Sequence, residues 1–263
     1  MTSITLKHMF FALALAAGAL SMSAAGARSP YVSEIADYVY PQNAPASLSD
    51  LVYMPDGLSY LTMSADRSAI VRYDTKTGKE IEVFADLSKA RETTLTEIDG
   101  FTLSADASKI LVYRNRTAIY RRSFTAEYYV YEVRTRLLRP LSTQHSTQRS
   151  PIFSANARMV AFVADNNIYI KKLDYNTEVA VTDDGRLGEI INGLSDWTYE
   201  EEFATTCSMA FSPDNLTLCF VKYDESEVPT YTLPIYSGSC KPDQRYALYP
   251  GVYSYKYPVA GEN

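Results

Sequence analysis

A four-residue turn motif that recurs at nearly constant spacing is the strongest constraint on the fold of this chain. Each copy joins an apolar first residue to residues that favour tight turns, such as Pro, Asp, Asn and Gly. The copies are Met54-Pro55-Asp56-Gly57, Leu103-Ser104-Ala105-Asp106, Phe153-Ser154-Ala155-Asn156 and Phe211-Ser212-Pro213-Asp214. The equivalent positions are Pro55, Ala105, Ala155 and Pro213, so the first two intervals are equal and the third is longer. A regular interval of this length predicts a repeat architecture.

Each repeat unit continues after its turn with the same order of predicted strands. A short apolar strand such as 159–163 is followed by an alternating strand such as 167–171. A polar turn at 174–177 then leads to a last strand at 178–182. Four short strands per unit predict an all-β fold, a partial β-propeller of about four four-stranded blades. A β-sandwich is the alternative, although sandwich turns recur without a period that spans the whole unit.

Composition narrows the classes of partner and ligand. The net charge is −6, and the sequence contains no dense block of Lys and Arg, which argues against nucleic acid as a partner. The three cysteines, Cys207, Cys219 and Cys240, lack C-x-x-C spacing, so we expect no metal site. They are interpreted as buried or unpaired thiols, with one disulfide as the alternative. No cofactor is predicted.

The N-terminal segment, 1–27, has the pattern of a secretory signal peptide. Lys7 and His8 precede an apolar run, and the small residues Ala25-Gly26-Ala27 end it. An uncleaved N-terminal anchor is the alternative, although the run is short for a membrane span. We therefore expect an exported protein, periplasmic or otherwise in the cell envelope or secreted, with a mature domain at 28–263.

The repeats do not form a closed ring within this sequence. Blades bury their faces against neighbours, and a propeller normally closes on itself. The final segment, 253–263, has neither a capping pattern nor a strand that would return to the first unit. We interpret residues 28–263 as the N-terminal part of a longer protein.

An acidic motif interrupts the third repeat interval. The segment Asp196–Phe203 contains the only tryptophan and three consecutive glutamates, and its length equals the excess of that interval over the other two. Thr198 and Glu201 fit a capping box, which predicts a short helical insertion. One interpretation is a solvated acidic turn anchored by Trp197. The other is a cation site, since an ammonium has three donors and two carboxylates can share it.

Several motifs together resemble the N-terminal propeller of the dipeptidyl peptidase IV family. The resemblance covers at least Tyr120 to Gly261, with weaker similarity back to Leu48. The motifs are Asp196–Glu202, Phe211–Asp214, Glu227-Val228-Pro229, Tyr257–Gly261 and Tyr120–Ala126. The last of these is similar to a Trp-Arg-His-Ser-Tyr-Thr-Ala segment of the family. Arg122 and Phe124 depart mildly from that pattern.

The resemblance implies a role for three residues. In the family, the second and third glutamates of the motif bind the free N-terminus of the substrate, which implies Glu201 and Glu202. The arginine of the Tyr120–Ala126 segment orients a substrate carbonyl, which implies Arg121. The substrate would be a peptide with a free N-terminus, and the reaction would release N-terminal X-Pro or X-Ala dipeptides.

The catalytic Ser-Asp-His triad of that family belongs to a C-terminal α/β-hydrolase domain, and no catalytic residue is predicted here. The sequence contains no G-x-S-x-G motif, and His145 lies in a polar turn without a nucleophile motif beside it. We therefore expect this chain alone to be inactive. The missing hydrolase domain is an expected partner, as is a second copy in a full-length homodimer. A non-catalytic, periplasmic peptide- or protein-binding module is the alternative function.

Overall fold

The computed structural model describes residues 51–235 and 251–259. The predicted signal peptide at 1–27, Cys240 and the last residues of the Tyr257–Gly261 motif lie outside the described residues. All described residues belong to one compact unit, Ser49–Asn263. No helix in the described part of the chain has the length and apolar character needed to cross a membrane.

Three four-stranded antiparallel sheets follow one another along the chain, as the repeats predict. In each sheet the spatial order of the strands is their order in the sequence. The first sheet contains β1 (Val52–Tyr53), β2 (Ser59–Met63), β3 (Ala69–Asp74) and β4 (Glu80–Asp86). The second contains β5 (Gly100–Leu103), β6 (Lys109–Ala118), β7 (Phe124–Glu132) and β8 (Leu137–Pro140). The third contains β9 (Arg149–Phe153), β10 (Met159–Ala164), β11 (Asn167–Lys172) and β12 (Thr177–Ala180). A 3-10 helix, Leu87–Lys89, follows the first sheet.

The fourth repeat does not form a single four-stranded sheet. The remaining elements are β13 (Ile190–Asn192), helix α1 (Trp197–Phe203), β14 (Met209–Phe211), β15 (Leu218–Phe220), β16 (Lys222–Asp224), β17 (Thr230–Ile235) and β18 (Gly251–Lys256). Only Val221 separates β15 from β16. The first half of this nearly continuous segment pairs with β14 and the second half with β13. Strands β17 and β18 pair as a separate hairpin.

The insertion before the fourth repeat is longer than the repeat interval suggests. The short segment 141–148 connects β8 to β9, whereas the much longer segment 181–208 separates β12 from β14. This insertion carries β13 as well as α1. The β10–β11 hairpin is shorter than the β6–β7 hairpin and offsets part of the added length. The excess of the third repeat interval is therefore smaller than the true length of the insertion.

The four repeat turns share one hydrogen-bond pattern. In the third, the Ser154 amide donates to the Met159 carbonyl at 2.9 Å, and the Ala157 amide donates to the Ser154 carbonyl at 2.9 Å. Ala157 has a φ of +53°. The other three turns have the equivalent bonds, and each places one residue at positive φ: Gly57, Ala107 and Asn215. In three turns a serine hydroxyl also donates to the following Asp or Asn side chain.

Replacing Ser104 by alanine is expected to lower the free energy of unfolding by about 1–2 kcal/mol. Ser104 is buried, its hydroxyl accepts from the Lys109 amide at 3.0 Å, and it donates to Asp106 at 2.7 Å. Ser212 makes the same two bonds in a more exposed turn, so Ser212→Ala is the control and should cost less. Urea unfolding of both variants measures the difference. An equal loss in the two variants would show that burial does not determine how much these hydrogen bonds contribute to the free energy of unfolding.

The hydrophobic core lies between successive sheets. Strand β10 shows the arrangement, because both of its faces are buried. Val160 and Phe162 pack against residues of the second sheet, such as Leu111. Ala161 and Val163 point the other way and pack against residues of the insertion and β14, such as Leu194. A strand with two buried faces is what stacked propeller blades require. The all-β, partial β-propeller prediction is confirmed.

Candidate functional site

Helix α1 is the short helical insertion expected at the acidic motif, but its N-cap differs from the prediction. The carboxylate of Asp196 accepts a hydrogen bond from the Tyr199 amide at 2.8 Å, which makes Asp196 the N-cap. Thr198, the predicted cap, lies inside the helix, and its buried hydroxyl has no partner among the described residues. The helix ends at Ala204, which has a φ of +57°. The capping-box prediction was wrong by two positions.

Glu200, the first of the three glutamates, is a buried structural residue. It is 1% exposed, and one carboxylate oxygen accepts from the amides of Arg122 at 2.7 Å and Ser123 at 2.8 Å. The Arg122 guanidinium donates in return to the Glu200 carbonyl at 3.1 Å. Three hydrogen bonds therefore tie α1 to residues 119–123, the connection between β6 and β7. In the sequence Glu200 is one of three consecutive glutamates, so nothing there distinguished its structural role from that of its neighbours.

The same tie brings two of the predicted site residues together. Arg121 Nε lies 3.1 Å from Glu201 Oε2. The Glu201 side chain is 15% exposed and the Arg121 side chain is 71% exposed, so the pair lies at the rim of the protein surface. Glu202, the third predicted residue, is exposed, and no cation in the described part of the chain forms an ion pair with it. The three glutamates thus differ sharply in environment.

Trp197 joins α1 to the β17–β18 hairpin. Its ring centroid lies 4.5 Å from that of Tyr257 and 5.6 Å from that of Tyr255. Tyr255 in turn contacts Tyr120 at 6.2 Å, immediately before Arg121. Aromatic contacts of this kind hold the helix, the β6–β7 connection and β18 in one cluster. Trp197 is therefore an anchor, although the motif it anchors is not simply a solvated acidic turn, because Glu200 is buried.

A cavity of about 280 Å³ lies beside the first turn of α1. Glu225 lines it and is 7% exposed. Burial, and to a smaller extent the nearby carboxylate of Asp196, raise the pKa of the Glu225 carboxyl to about 7, while Lys256 acts in the opposite direction. Burial also raises the pKa of Asp196, against the hydrogen bond from Tyr199. The sequence motifs gave no indication of Glu225.

The free energy of unfolding is expected to fall by about 3 kcal/mol between pH 4.5 and pH 7 through Glu225. Its folded-state pKa of about 7 lies above the ordinary 4.5, so the folded protein holds the proton over this range and the unfolded chain does not. The stabilisation is complete below pH 4.5 and lost above pH 7. Urea unfolding at pH 5 and 8 measures the slope, which Glu225→Gln should remove. The exposed Glu227→Gln is the control; an unchanged slope in Glu225→Gln would contradict the prediction.

The other residues considered in the sequence analysis are His145 and the cysteines. His145 lies between β8 and β9, with its ring centroid 4.3 Å from that of Tyr169 and its Nε2 3.8 Å from Glu178 Oε1. Cys207 and Cys219 are free thiols, and burial raises the pKa of Cys207. Within the described ranges, no group of three His, Cys, Asp or Glu side chains is arranged to hold a metal ion.

Comparison with known proteins agrees with this architecture. Residues 104–263 match the family described as the dipeptidyl peptidase IV N-terminal region. The crystal structure of Porphyromonas gingivalis dipeptidyl peptidase 4 is 41% identical, with a TM-score of 0.72 over 84% of this chain and 32% of that one.

Fungal relatives show the same similarity over parts of longer proteins. A probable dipeptidyl-aminopeptidase B of Phaeosphaeria nodorum is 37% identical over 60% of this chain and 18% of its own length. One from Aspergillus oryzae is 31% identical over 78% of this chain and 24% of its own. The chain spans about a fifth of the length of these relatives. Because the family model matches more than half of the chain, this protein belongs to the dipeptidyl peptidase IV N-terminal-region family.

Proposed function

We propose that this chain is the substrate-recognition propeller of a dipeptidyl peptidase IV-like serine exopeptidase. The observation that carries the proposal is the Arg121–Glu201 pair. Glu200 holds Arg121 next to α1, because its carboxylate accepts hydrogen bonds from the backbone amides of the two residues that follow Arg121. The site would bind the free N-terminus of a peptide whose first two residues are released as X-Pro or X-Ala. An α/β-hydrolase domain elsewhere in the full-length enzyme would supply the nucleophile.

The chemistry of the pair suits a peptide N-terminus. An α-amino group has an ordinary pKa near 8 and is mostly protonated at neutral pH, so it offers three donors and a positive charge. Glu201 retains unused acceptor capacity beside Arg121, and Glu202 is the next carboxylate along the helix. The guanidinium of Arg121 has five donors and is largely exposed, which suits it to orient a substrate carbonyl. Water exclusion by a covering domain would strengthen both contacts.

The wider arrangement follows from the same proposal. A signal peptide at 1–27 would direct export to the periplasm, the cell envelope or the medium, and residues 28–263 would form the propeller portion. The full-length enzyme would be a homodimer. If the gene encodes no hydrolase domain, the same site would serve a non-catalytic peptide-binding module. Reading the open frame beyond Asn263 for a G-x-S-x-G motif followed by Asp and His distinguishes the two.

Binding of matched peptides tests the recognition role directly. We expect a peptide that begins with Gly-Pro and has a free N-terminus to bind. Its N-acetylated form should bind at least about 30-fold more weakly. Trp197 is the only tryptophan and stands in the first turn of α1, so its fluorescence reports on the site. A peptide with a free N-terminus that lacks Pro or Ala at its second position is the control for charge alone. Equal binding of the free and acetylated peptides would refute the proposal.

A further inference from the structure

The cavity beside α1 contains a partly buried positive group that lacks a partner. Arg149, the first residue of β9, lines the cavity, and burial lowers its pKa. Its fully buried Nε has no hydrogen-bond partner, and no carboxylate of the described residues forms an ion pair with it. Glu200 is close enough to favour its charge, but that carboxylate already accepts the two backbone amides of Arg122 and Ser123. A guanidinium does not lose its proton, so burial without an anion is unfavourable.

The same cavity contains a buried acid that also lacks a partner. Glu225 is only 7% exposed, and no described residue donates a hydrogen bond to its carboxylate. Lys256 is the cation that acts on it, but the Lys256 ammonium donates to the carbonyl of Val228 at 2.7 Å and to that of Ser226 at 3.5 Å. Asp196, the other nearby carboxylate, repels it. The Glu225 carboxylate therefore lacks a donor.

The two unpartnered groups belong to one space. Tyr120 also lines the cavity, and burial is the main reason that the pKa of its phenol is raised to about 12. Both charges act on this phenol, since Glu225 contributes to the increase and Arg149 opposes it. A simple anion would pair with Arg149 and leave Glu225 repelled. A metal ion or an amine would pair with Glu225 and leave Arg149 unpaired. Only a molecule with both charges satisfies the two groups together.

We propose that this cavity binds a small zwitterion, a free amino acid or a dipeptide, with its carboxylate on Arg149 and its ammonium on Glu225. The volume of about 280 Å³ lies just below the usual range of ligand pockets, which suits a ligand of this size. The site is separate in its residues from Glu201, Glu202 and Arg121. It requires a free carboxylate, whereas the site of the proposed function requires only a free amine.

The test measures calorimetric binding to the full chain carrying Glu201→Gln and Glu202→Gln, so that the proposed amine site is removed. The ligands are proline, Gly-Pro, N-acetyl-Gly-Pro and Gly-Pro-amide. We expect proline or Gly-Pro to bind, and both single-charge analogues of Gly-Pro to bind at least about tenfold more weakly. Comparison of proline with Gly-Pro distinguishes an amino acid from a dipeptide as the ligand.

Two further variants assign the ends of the ligand. Arg149→Met should bring Gly-Pro and Gly-Pro-amide to the same weak affinity, and Glu225→Gln should do so for Gly-Pro and N-acetyl-Gly-Pro. At pH 8, where Glu225 is ionised, both variants should melt at or above the temperature of the parent without ligand, because each removes an unpartnered charge that is largely withdrawn from water. Measurable and equal binding of Gly-Pro and Gly-Pro-amide by the parent would overturn the proposal. So would an absence of zwitterion binding, or binding that Arg149→Met leaves unchanged.

Discussion

Replacing Glu200 by alanine is expected to lower the free energy of unfolding by about 3–5 kcal/mol. Glu200 is 1% exposed and accepts two backbone amides, those of Arg122 and Ser123, at 2.7 and 2.8 Å. Hydrogen bonds to a charged acceptor are worth more than neutral ones, and truncation would leave both amides buried without an acceptor. The side-chain cavity adds a further loss.

The control for this variant is the neighbouring Glu202→Ala. It removes the same side chain from the same short helix at an exposed position, so its effect should be within about 0.5 kcal/mol of zero. Urea unfolding monitored by Trp197 fluorescence compares the two. Hydrogen exchange of the Arg122 and Ser123 amides should quicken only in Glu200→Ala. A loss no larger than that of Glu202→Ala would contradict the structural role of Glu200.

Replacing Glu201 by glutamine is expected to weaken binding of a peptide with a free N-terminus by about 30- to 1000-fold, which corresponds to about 2–4 kcal/mol. Glutamine keeps the size of the side chain but removes the charge that pairs with the ammonium and with Arg121. The fold should tolerate the change, because the pair lies at the surface and such pairs add little to stability. Glu202→Gln should have an effect in the same direction.

A matched control exists elsewhere in the chain. Glu92 and Arg139 form an exposed ion pair of similar geometry, at 2.8 Å from Nε to Oε2, that involves neither α1 nor the β6–β7 connection. Glu92→Gln should leave peptide affinity unchanged while removing a comparable pair. Titration of free and N-acetylated peptides separates the amine contact from other binding energy, since Glu201→Gln should affect only the free peptide. Unchanged affinity for the free peptide would refute the assignment of Glu201.

The repeat turns show which parts of the fold were accessible to sequence reasoning. Their hydrogen bonds join residues no more than five positions apart, as between Ser154 and Met159, so a short local pattern specifies them. The fourth repeat shows the opposite case. Its β13–β16 pair joins Ile190 to Asp224, which are far apart in the chain, and no local pattern encodes that choice of partner.

The acidic motif divides in the same way. Its residues predict a short helix, and its resemblance to the dipeptidyl peptidase IV family implies that Glu201, Glu202 and Arg121 bind substrate. The N-cap was mistaken because Asp196 and Thr198 are both good capping residues, and the path of the chain into the helix selects between them.

By itself the sequence determined the all-β repeat, its turns, the helical motif and the family, because these depend on short-range hydrogen bonds, on hydrophobic periodicity and on runs of specific residues. Only the tertiary structure decided that Glu200 is buried while Glu201 lies at the surface beside Arg121. It alone placed Arg149 and Glu225 in one cavity. Burial and pairing set the properties of a charged side chain, and both come from residues distant in the chain.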